Sequence, residues 1–254
     1  MKGGIQMKII VSPARTMQVD TDSLPYQHLP QFLSQTQEIL SWMRGQTYDE
    51  LHRLWWNCST KIATLNYRRV QEMDLTHQLT PAILAFKGLQ YQYMAPDVFT
   101  DQGLEYIERH LRILSGFYGL LRPFDGIVPY RLGMGDRAQV AGSSNLYRFW
   151  GDQLATELYR DDQLVLNLAS QEYARAVIPY LTSERRFVTC IFGEVIDGKV
   201  KQKATLAKMA RGNMVRYLAE NDVTDLAGVK AFSVANYHYS PEYSTPDRLT
   251  FIKQ

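Results

Sequence analysis

Polar and charged side chains follow several predicted strands, at the point where each strand ends. The predicted strand at residues 8–11 is followed by Ser12 and Arg15, and the apolar run at residues 82–86 is followed by Lys87. In open α/β sheets, ligands gather at the carboxyl ends of the strands. The sequence therefore predicts one cationic cleft at this edge, lined by Ser12, Arg15, Lys87, Arg148, Asn167, Ser170 and Tyr173.

Three side chains near this predicted cleft could take part in catalysis. Lys87 and Glu172 have groups that suit proton transfer or nucleophilic attack. Asp152 lies about one helical turn from Arg148. The alternative is that Arg148 and Asp152 only form an ion pair along a helix. Lys87, Asp152 and Glu172 are the candidate catalytic residues, and the sequence does not identify a reaction.

The segment at residues 199–216 is strongly basic. It contains six cations and no acid, while the whole chain has a net charge of +2, so the rest of the chain has a net charge of −4. On a helix, the later cations gather opposite an apolar face, and Gly212 between them would let a bulky anion approach the backbone. Charge runs usually form solvated faces. The lack of acids favours an anion-binding surface formed by Lys199, Lys201, Lys203, Lys208, Arg211 and Arg216.

A short glycine-containing turn follows a predicted helix at residues 104–114. Gly116 and Gly119 lie three residues apart, and Arg112 and Arg122 flank them. This spacing is typical of a helix-hairpin-helix, whose backbone amides can donate hydrogen bonds to a phosphate. The same spacing also occurs in ordinary turns after helices. Taken alone, the ordinary turn is the more common interpretation, and Pro123 departs from the usual hairpin.

Several cofactor and catalytic motifs are absent. The sequence has no Walker loop, no Gly-x-Gly-x-x-Gly after a strand and no Gly-x-Ser-x-Gly motif. Its five histidines have no metal-ligand spacing, and Cys58 and Cys190 form neither a disulfide framework nor a zinc pattern. We therefore expect no cofactor, no metal site and a reducing compartment.

Predicted helices and strands alternate along the chain. Strands are expected at residues 8–11, 82–86, 163–168, 187–196 and 200–203, and helices at residues 31–43, 104–114, 146–158 and 204–220. Thr47 and Glu50 form a possible capping box, and Asp197-Gly198 is a hairpin signal. The predicted fold class is α/β (mixed α+β): a single domain over residues 7–254, with a central mixed sheet, surrounding helices and an embedded helix-hairpin-helix. Residues 1–6 are predicted to be an extension or a cloning remnant.

The composition is that of an ordinary globular protein, with 45% apolar and 21% charged residues. No apolar run approaches the roughly 20 residues that a membrane helix needs. No targeting segment is visible either. We therefore expect a soluble, cytoplasmic monomer without a membrane partner.

Seven sequence blocks together resemble the YaaA family of peroxide-stress proteins. They are KIIVSPART (8–16), AILAFKG (82–88), HLRILSGFYGLLRP (110–123), PYRLGMG (129–135), LYRFWGD (146–152), NLASQEY (167–173) and KMARGNMVRY (208–217). Arg15 stands where the family often has lysine, which keeps the charge but changes the donor geometry. The tail at residues 236–241 also differs from the acidic tail associated with the family.

The resemblance implies a mixed α/β fold particular to the family, with a helix-hairpin-helix at residues 114–120 and a positively charged cleft. It also implies binding to double-stranded or distorted DNA. The implied cellular role is protection from hydrogen peroxide, linked to limiting free intracellular iron and so the oxidative damage that iron causes.

Two functional hypotheses follow from the sequence. The first is a stress protein that binds DNA by shape rather than by sequence, since phosphate contacts carry no sequence information. The second is an enzyme that acts on a nucleotide, a nucleobase or a base in DNA at a cationic pocket. Direct sequestration of iron lacks a ligand set. The predicted DNA-binding residues are Arg112, Gly116, Tyr118, Gly119, Arg122, Arg131, Arg137, Lys208, Arg211 and Arg216.

Overall fold

Twelve strands and eleven α-helices are assigned in residues 7–254, the part of the chain that this computed structural model describes. The predicted extension at residues 1–6 lies outside the described residues. The strands are β1 (Met7–Val11), β2 (Thr16–Met17), β3 (Thr80–Pro81), β4 (Phe86–Lys87), β5 (Leu111–Ser115), β6 (Gly119–Leu121), β7 (Gly126–Ile127), β8 (Leu164–Leu168), β9 (Arg186–Ile196), β10 (Lys199–Lys201), β11 (Tyr237–Tyr239) and β12 (Arg248–Lys253). The helices are α1 (Leu33–Arg44), α2 (Tyr48–Leu54), α3 (Thr60–Glu72), α4 (Ala82–Ala85), α5 (Leu89–Met94), α6 (Asp101–His110), α7 (Leu146–Trp150), α8 (Gln153–Leu158), α9 (Gln171–Ala174), α10 (Ala204–Glu220) and α11 (Leu226–Lys230).

A mixed sheet of eight strands organises the single α/β domain. Its order is β11-β12-β9-β8-β1-β5-β6, with β10 also paired to β9. The five strands from β12 to β5 are parallel, while β11 and β6 pair antiparallel at the edges. Every residue of β8 is buried, as expected when both faces of a parallel sheet are covered.

The order of the parallel strands creates a crevice beside β1. When the five parallel strands are renumbered 1 to 5 in chain order, as β1, β5, β8, β9 and β12, their order across the sheet is 2-1-3-4-5. The order reverses at β1, which has β5 on one side and β8 on the other. Val11 is paired with Leu168, so β1 and β8 end at the same level. Ligands bind at such a reversal of strand order, outside the carboxyl ends of the strands. The topology therefore places Ser12 and Ser170 beside the expected binding crevice.

The predicted helix-hairpin-helix is wrong. Helix α6 ends at His110, and residues 111–121 form the antiparallel hairpin β5–β6, in which Ser115 pairs with Gly119. The Ser115 hydroxyl accepts hydrogen bonds from the amides of the turn at 3.2 and 2.8 Å. The helical pattern at residues 104–114 was misleading because β5 also forms a parallel ladder with β1, and such tertiary pairing overrides local propensity.

Other differences concern short segments. Residues 82–86 form the single-turn helix α4 and the start of β4 rather than one strand. The predicted helix at residues 146–158 is broken into α7 and α8 at Gly151, which has a positive φ of 51°. The tail adds two strands to the sheet: β12 pairs with β9, and β11 lies at the edge.

Locally encoded features match the prediction. Thr47 and Glu50 form the capping box of α2. The turn between β9 and β10 has positive φ at both Asp197 and Gly198, as a tight hairpin turn requires. Helix α10 has the predicted bounds. Within the described residues, no helix is long and apolar enough to cross a bilayer.

Gly212 lies where α10 crosses α5, and it does not face an open anion site as the sequence suggested. A Cβ at this position would be only 2.2 Å from the carbonyl oxygen of Gln90. The lack of a side chain therefore allows the two helices to approach closely. Arg211 precedes Gly212 on α10, so the same crossing places its backbone close to that of Gln90 on α5.

Candidate functional site

A cavity of about 350 Å³ opens at the carboxyl ends of β1 and β8. We call it the switch-point cleft, because it lies where the order of the parallel strands reverses. A cavity of this size suits a small molecule or a single nucleotide rather than a duplex. The polar, charged and aromatic residues that line it are Ser12, Arg15, Thr16, Trp55, Trp56, Lys87, Gln90, Tyr91, Tyr130, Arg131, Asp136, Ser170, Glu172, Tyr173, Lys208 and Arg211.

Hydrogen bonds between the ends of β1 and β8 fix the floor of the cleft. The Ser170 amide donates to the Ser12 hydroxyl at 2.8 Å, and the two serine hydroxyl oxygens lie 3.3 Å apart. The Tyr91 hydroxyl donates to the carbonyl oxygen of Ser12 at 3.0 Å. These bonds join the two strands to α5 and give the cleft a rigid base.

Cations outnumber acids in the cleft. Five cationic side chains line it, against the carboxylates of Asp136 and Glu172. The Asp136 carboxylate already accepts hydrogen bonds from the Gly133 amide (2.7 Å) and the Trp56 indole (2.6 Å), and burial raises its pKa. Glu172 accepts a hydrogen bond from the Gly135 amide at 3.0 Å. The five cations are Arg15, Lys87, Arg131, Lys208 and Arg211.

Two buried donors of the cleft lack a partner. Within residues 7–254, neither Arg211 Nε nor Gln90 Nε2 has a hydrogen-bond acceptor. Gln90 is only 6% exposed, and burial lowers the pKa of the Arg211 guanidinium. Buried donors are almost always satisfied in folded proteins, because an unsatisfied donor costs about 1–3 kcal/mol. Both residues line the cleft, and an anion is a suitable acceptor for donors of this kind.

Consecutive tryptophans connect the end of α2 to the other wall. The Trp55 indole donates to the carbonyl oxygen of Arg131 at 2.6 Å, and the Trp56 indole donates to Asp136. Trp55 is 1% exposed, whereas Trp56 is 60% exposed. Both Trp56 (φ 58°) and Asn57 (φ 48°) have left-handed backbones, each costing about 1–3 kcal/mol. The fold thus holds an exposed indole at the edge of the cleft.

The predicted cleft residues divide into two groups. Three of them lie outside the cleft: Arg148 is exposed on α7, Asp152 is exposed at the start of α8, and Asn167 is buried in β8. Asn167 donates to Thr189 and accepts a hydrogen bond from the Ala169 amide, so its amide group stabilises the strand end. The residues that line the cleft are Ser12, Arg15, Lys87, Ser170, Glu172 and Tyr173.

The turn predicted to contact DNA is inside the core. Gly116, Tyr118 and Gly119 are all buried. The Gly116 carbonyl accepts a hydrogen bond from the Trp150 indole at 3.1 Å, and a Cβ at Gly119 would be 2.7 Å from the same indole. The amides of Phe117 and Tyr118 are already bonded to Ser115. The Phe117 and Tyr118 amides are therefore not free to bind a phosphate.

The predicted DNA-binding cations are dispersed. Arg112 donates to the carbonyls of Glu108 and Leu111, and Arg122 binds the buried carboxylate of Asp125 at 2.8 Å. Arg137 lines a separate depression. Among the predicted arginines and lysines, Arg131, Lys208 and Arg211 line the cleft.

The basic segment at residues 199–216 is also divided. Acids outside the segment neutralise part of it: Asp197 lies 3.8 Å from Lys201, Glu194 2.7 Å from Lys203, and Glu220 2.7 Å from Arg216. Lys208 and Arg211 face the cleft. The segment itself contains no acid, but this did not mean that its positive charges are left without partners.

Sequence reasoning missed Gln90, Trp56 and Asp136 as residues of the site. The available signal was the Trp55-Trp56 dipeptide, which follows the candidate capping box at Thr47 and Glu50. Two adjacent residues of a helix point in different directions, so one of two adjacent tryptophans is expected to face solvent. Nothing in the sequence singles out Gln90, since its importance comes from the crossing of α5 and α10.

Two observations concern redox chemistry. The Cys190 thiol is fully buried, and burial raises its pKa, which makes it a poor nucleophile toward peroxide. Among residues 7–254, no group of three or more His, Cys, Asp or Glu side chains could hold a metal ion.

Comparison with known proteins identifies the family. A family model described as peroxide stress protein YaaA matches residues 7–243. A UPF0246 protein of Limosilactobacillus reuteri is 63% identical over 245 residues, covering 96% of this chain and 98% of the relative. UPF0246 proteins of Pediococcus pentosaceus (55% over 247 residues; 97% and 98% covered) and Lactiplantibacillus plantarum (50% over 248 residues; 98% and 100% covered) are also similar. The chain therefore belongs to the YaaA family of peroxide stress proteins.

Proposed function

We propose that this protein binds DNA through the switch-point cleft and thereby helps to limit iron-dependent oxidative damage during peroxide stress. The observation that carries the proposal is the pair of buried donors, Gln90 Nε2 and Arg211 Nε, which lack an acceptor within the described chain and lie among four further cations. A phosphate supplies the anionic oxygens that such donors require.

The size of the cleft determines how DNA would enter it. A volume of about 350 Å³ accommodates one nucleotide. A nucleotide inside a duplex must first leave the base stack, which costs a few kcal/mol and is easiest where the DNA is distorted or unpaired. The proposal therefore favours distorted DNA over regular duplex, with recognition by shape and charge rather than by sequence.

Binding can be measured by fluorescence anisotropy with a labelled oligonucleotide containing a mismatched bubble, over a range of salt concentrations. Lys87→Ala and Lys208→Ala should each weaken binding and reduce the salt slope by about one, as expected for a lost phosphate contact. Arg148→Ala is the matched control, because Arg148 is exposed but outside the cleft. Wild-type affinity in both cleft variants, or no binding at low salt, would contradict the proposal.

The protective role has a separate test. Supercoiled plasmid treated with ferrous iron and hydrogen peroxide is nicked, and nicking is quantified on a gel. Wild-type protein should reduce nicking more than Lys87→Ala at equal concentration. Equal protection by the two proteins would show that the cleft is not responsible for limiting the damage. The proposal also includes a cytoplasmic location and a monomeric state. Size-exclusion chromatography with light scattering tests the monomeric state, and fractionation of cells tests the location.

An enzyme acting on a nucleotide, a nucleobase or a base in DNA is the second candidate. Lys87 and Glu172 favour it, because an amine and a carboxylate line the same cleft and could transfer a proton. Asp152 is exposed outside the cleft, so it has no role in this alternative. Incubation with nucleotides and bubble DNA, followed by chromatography, should reveal a product that Glu172→Gln does not form. Absence of any product would leave binding as the function.

A further inference from the structure

A second cationic depression adjoins the cleft. Its volume is about 610 Å³, and its lining includes Arg53, Asn57 and Arg137. Glu50 is the acid in this lining, and its carboxylate already accepts two hydrogen bonds from Thr47, each 2.8 Å long. The depression therefore offers two arginines whose charge is only partly opposed.

Trp56 forms the ridge between the two depressions, because its side chain lines both. It is the large aromatic residue most exposed among the described residues, at 60%. An exposed indole of this kind presents a flat face to solvent, and flat faces are platforms on which nucleobases stack.

The orientation of this indole is fixed. Its ring nitrogen donates to Asp136 at 2.6 Å, and Asp136 is in turn held by the Gly133 amide. The left-handed backbone at Trp56 and Asn57 is an unfavourable conformation for such residues, and it turns the chain sharply after α2. A ring that is immobilised before binding loses little conformational entropy on stacking.

We propose that Trp56 is a base-stacking platform at which an unpaired DNA strand passes from the switch-point cleft into the second depression. One base stacks on the indole, the phosphate on one side meets the cleft cations, and the phosphate on the other side meets Arg53 and Arg137. This inference rests on the proposed DNA binding and extends it, since it identifies the ligand as a strand of at least two nucleotides rather than a free nucleotide. Charge on both sides of the ridge favours a polyanion over an apolar protein partner.

The test compares a labelled single-stranded oligonucleotide with an otherwise identical oligonucleotide of abasic residues. Trp56→Ala should lower affinity for the base-containing strand about tenfold, within the range measured for stacking on aromatic side chains. It should not change affinity for the abasic strand. Trp56→Phe should stay within about threefold of wild type, because phenylalanine keeps a stacking face while losing the hydrogen bond to Asp136. Cooperative thermal unfolding verifies that each variant is folded.

A second arm addresses the far depression. Arg53→Ala and Arg137→Ala should weaken binding of the oligonucleotide but leave binding of a deoxynucleoside monophosphate unchanged, because the mononucleotide occupies only the cleft. Lys208→Ala, on the cleft side, should weaken both.

The outcomes separate the two proposals. If wild type binds the strand and Lys208→Ala weakens it while Trp56→Ala has no effect, the stacking inference is overturned and the proposed function stands. Equal losses in Trp56→Ala and Trp56→Phe would overturn it as well, because they would make the Asp136 hydrogen bond, not the ring face, responsible. Failure of wild type to bind DNA overturns both.

Discussion

Replacing Arg211 by methionine should stabilise the free protein while impairing ligand binding. The guanidinium is largely buried, its Nε has no acceptor among the residues described, and burial lowers its pKa. The nearby ionisable group that opposes this shift is the Cys190 thiol, which is itself kept neutral by burial. Arg211 is thus held without the compensation that buried charges normally have.

The expected change in the free energy of unfolding follows from one unsatisfied donor on a charged group. Its desolvation penalty is about 1–3 kcal/mol, and methionine fills the space of the aliphatic stem without a polar atom. We therefore expect Arg211→Met to raise the free energy of unfolding by about 1–2 kcal/mol and the melting temperature by about 4 °C. In the proposed complex the same change removes a charge-assisted hydrogen bond to the phosphate, so affinity for DNA should fall at least about tenfold.

The assay is urea unfolding and differential scanning calorimetry of the free protein, combined with anisotropy titrations in the same buffer. Lys208→Met is the matched control, because Lys208 lies on the same helix and lines the same cleft but is exposed. It should lower affinity and leave stability within about 0.5 kcal/mol of wild type. If Arg211→Met destabilises the protein and leaves affinity unchanged, Arg211 is a structural residue and the reasoning from its unsatisfied donor is refuted.

Three further predictions concern the core. Gly212→Ala should destabilise the protein by about 3 kcal/mol, because the added methyl group overlaps the carbonyl oxygen of Gln90; unfolding within 0.5 kcal/mol of wild type would contradict the close helix packing. Burial raises the pKa of Glu108 above its ordinary 4.5, so the folded state binds this proton more tightly and gains stability as the pH falls toward 4.5. Glu108→Gln should therefore stabilise the protein at pH 7, with a gain that shrinks toward pH 4.5 in urea titrations; a gain that grows on acidification would reverse the sign of the argument. In Cys58→Ser protein, the buried Cys190 thiol should react with a thiol reagent only after unfolding, and fast labelling of the native protein would disprove its burial.

Short-range chemistry could be predicted from the sequence because the interacting residues are neighbours in the chain. The Thr47–Glu50 capping box, the Asp197-Gly198 turn and the bounds of α10 depend on residues a few positions apart. The β5 strand could not be predicted in this way. Its backbone hydrogen bonds are made with β1, about one hundred residues earlier, and a helical pattern of apolar residues concealed them.

Part of the candidate site could be predicted from the sequence, because the topology of the sheet brings strand ends together. Arg15, Lys87, Ser170 and Glu172 follow strands or short apolar runs, and the structure places all four at one cavity. Arg148, within a predicted helix, and Asn167, at the end of β8, lie outside this cavity. Proximity to a strand end was therefore an incomplete guide, because Asn167 ends a strand of the central sheet and yet its amide group bonds within the strand end.

By itself the sequence determined the α/β class, the family and the residue types available for anion binding, because alternating apolar patterns, turn residues and motif blocks are properties of the linear chain. Only the tertiary structure decided which cations share a cleft and which are neutralised by acids from other elements. It also decided that the glycine turn at residues 116–119 is buried, and that Gln90 and Arg211, each with an unsatisfied donor, line the same cavity. The reason is physical: burial, desolvation and charge compensation depend on distances between segments far apart in the chain, and those distances are set by how the sheet and helices pack.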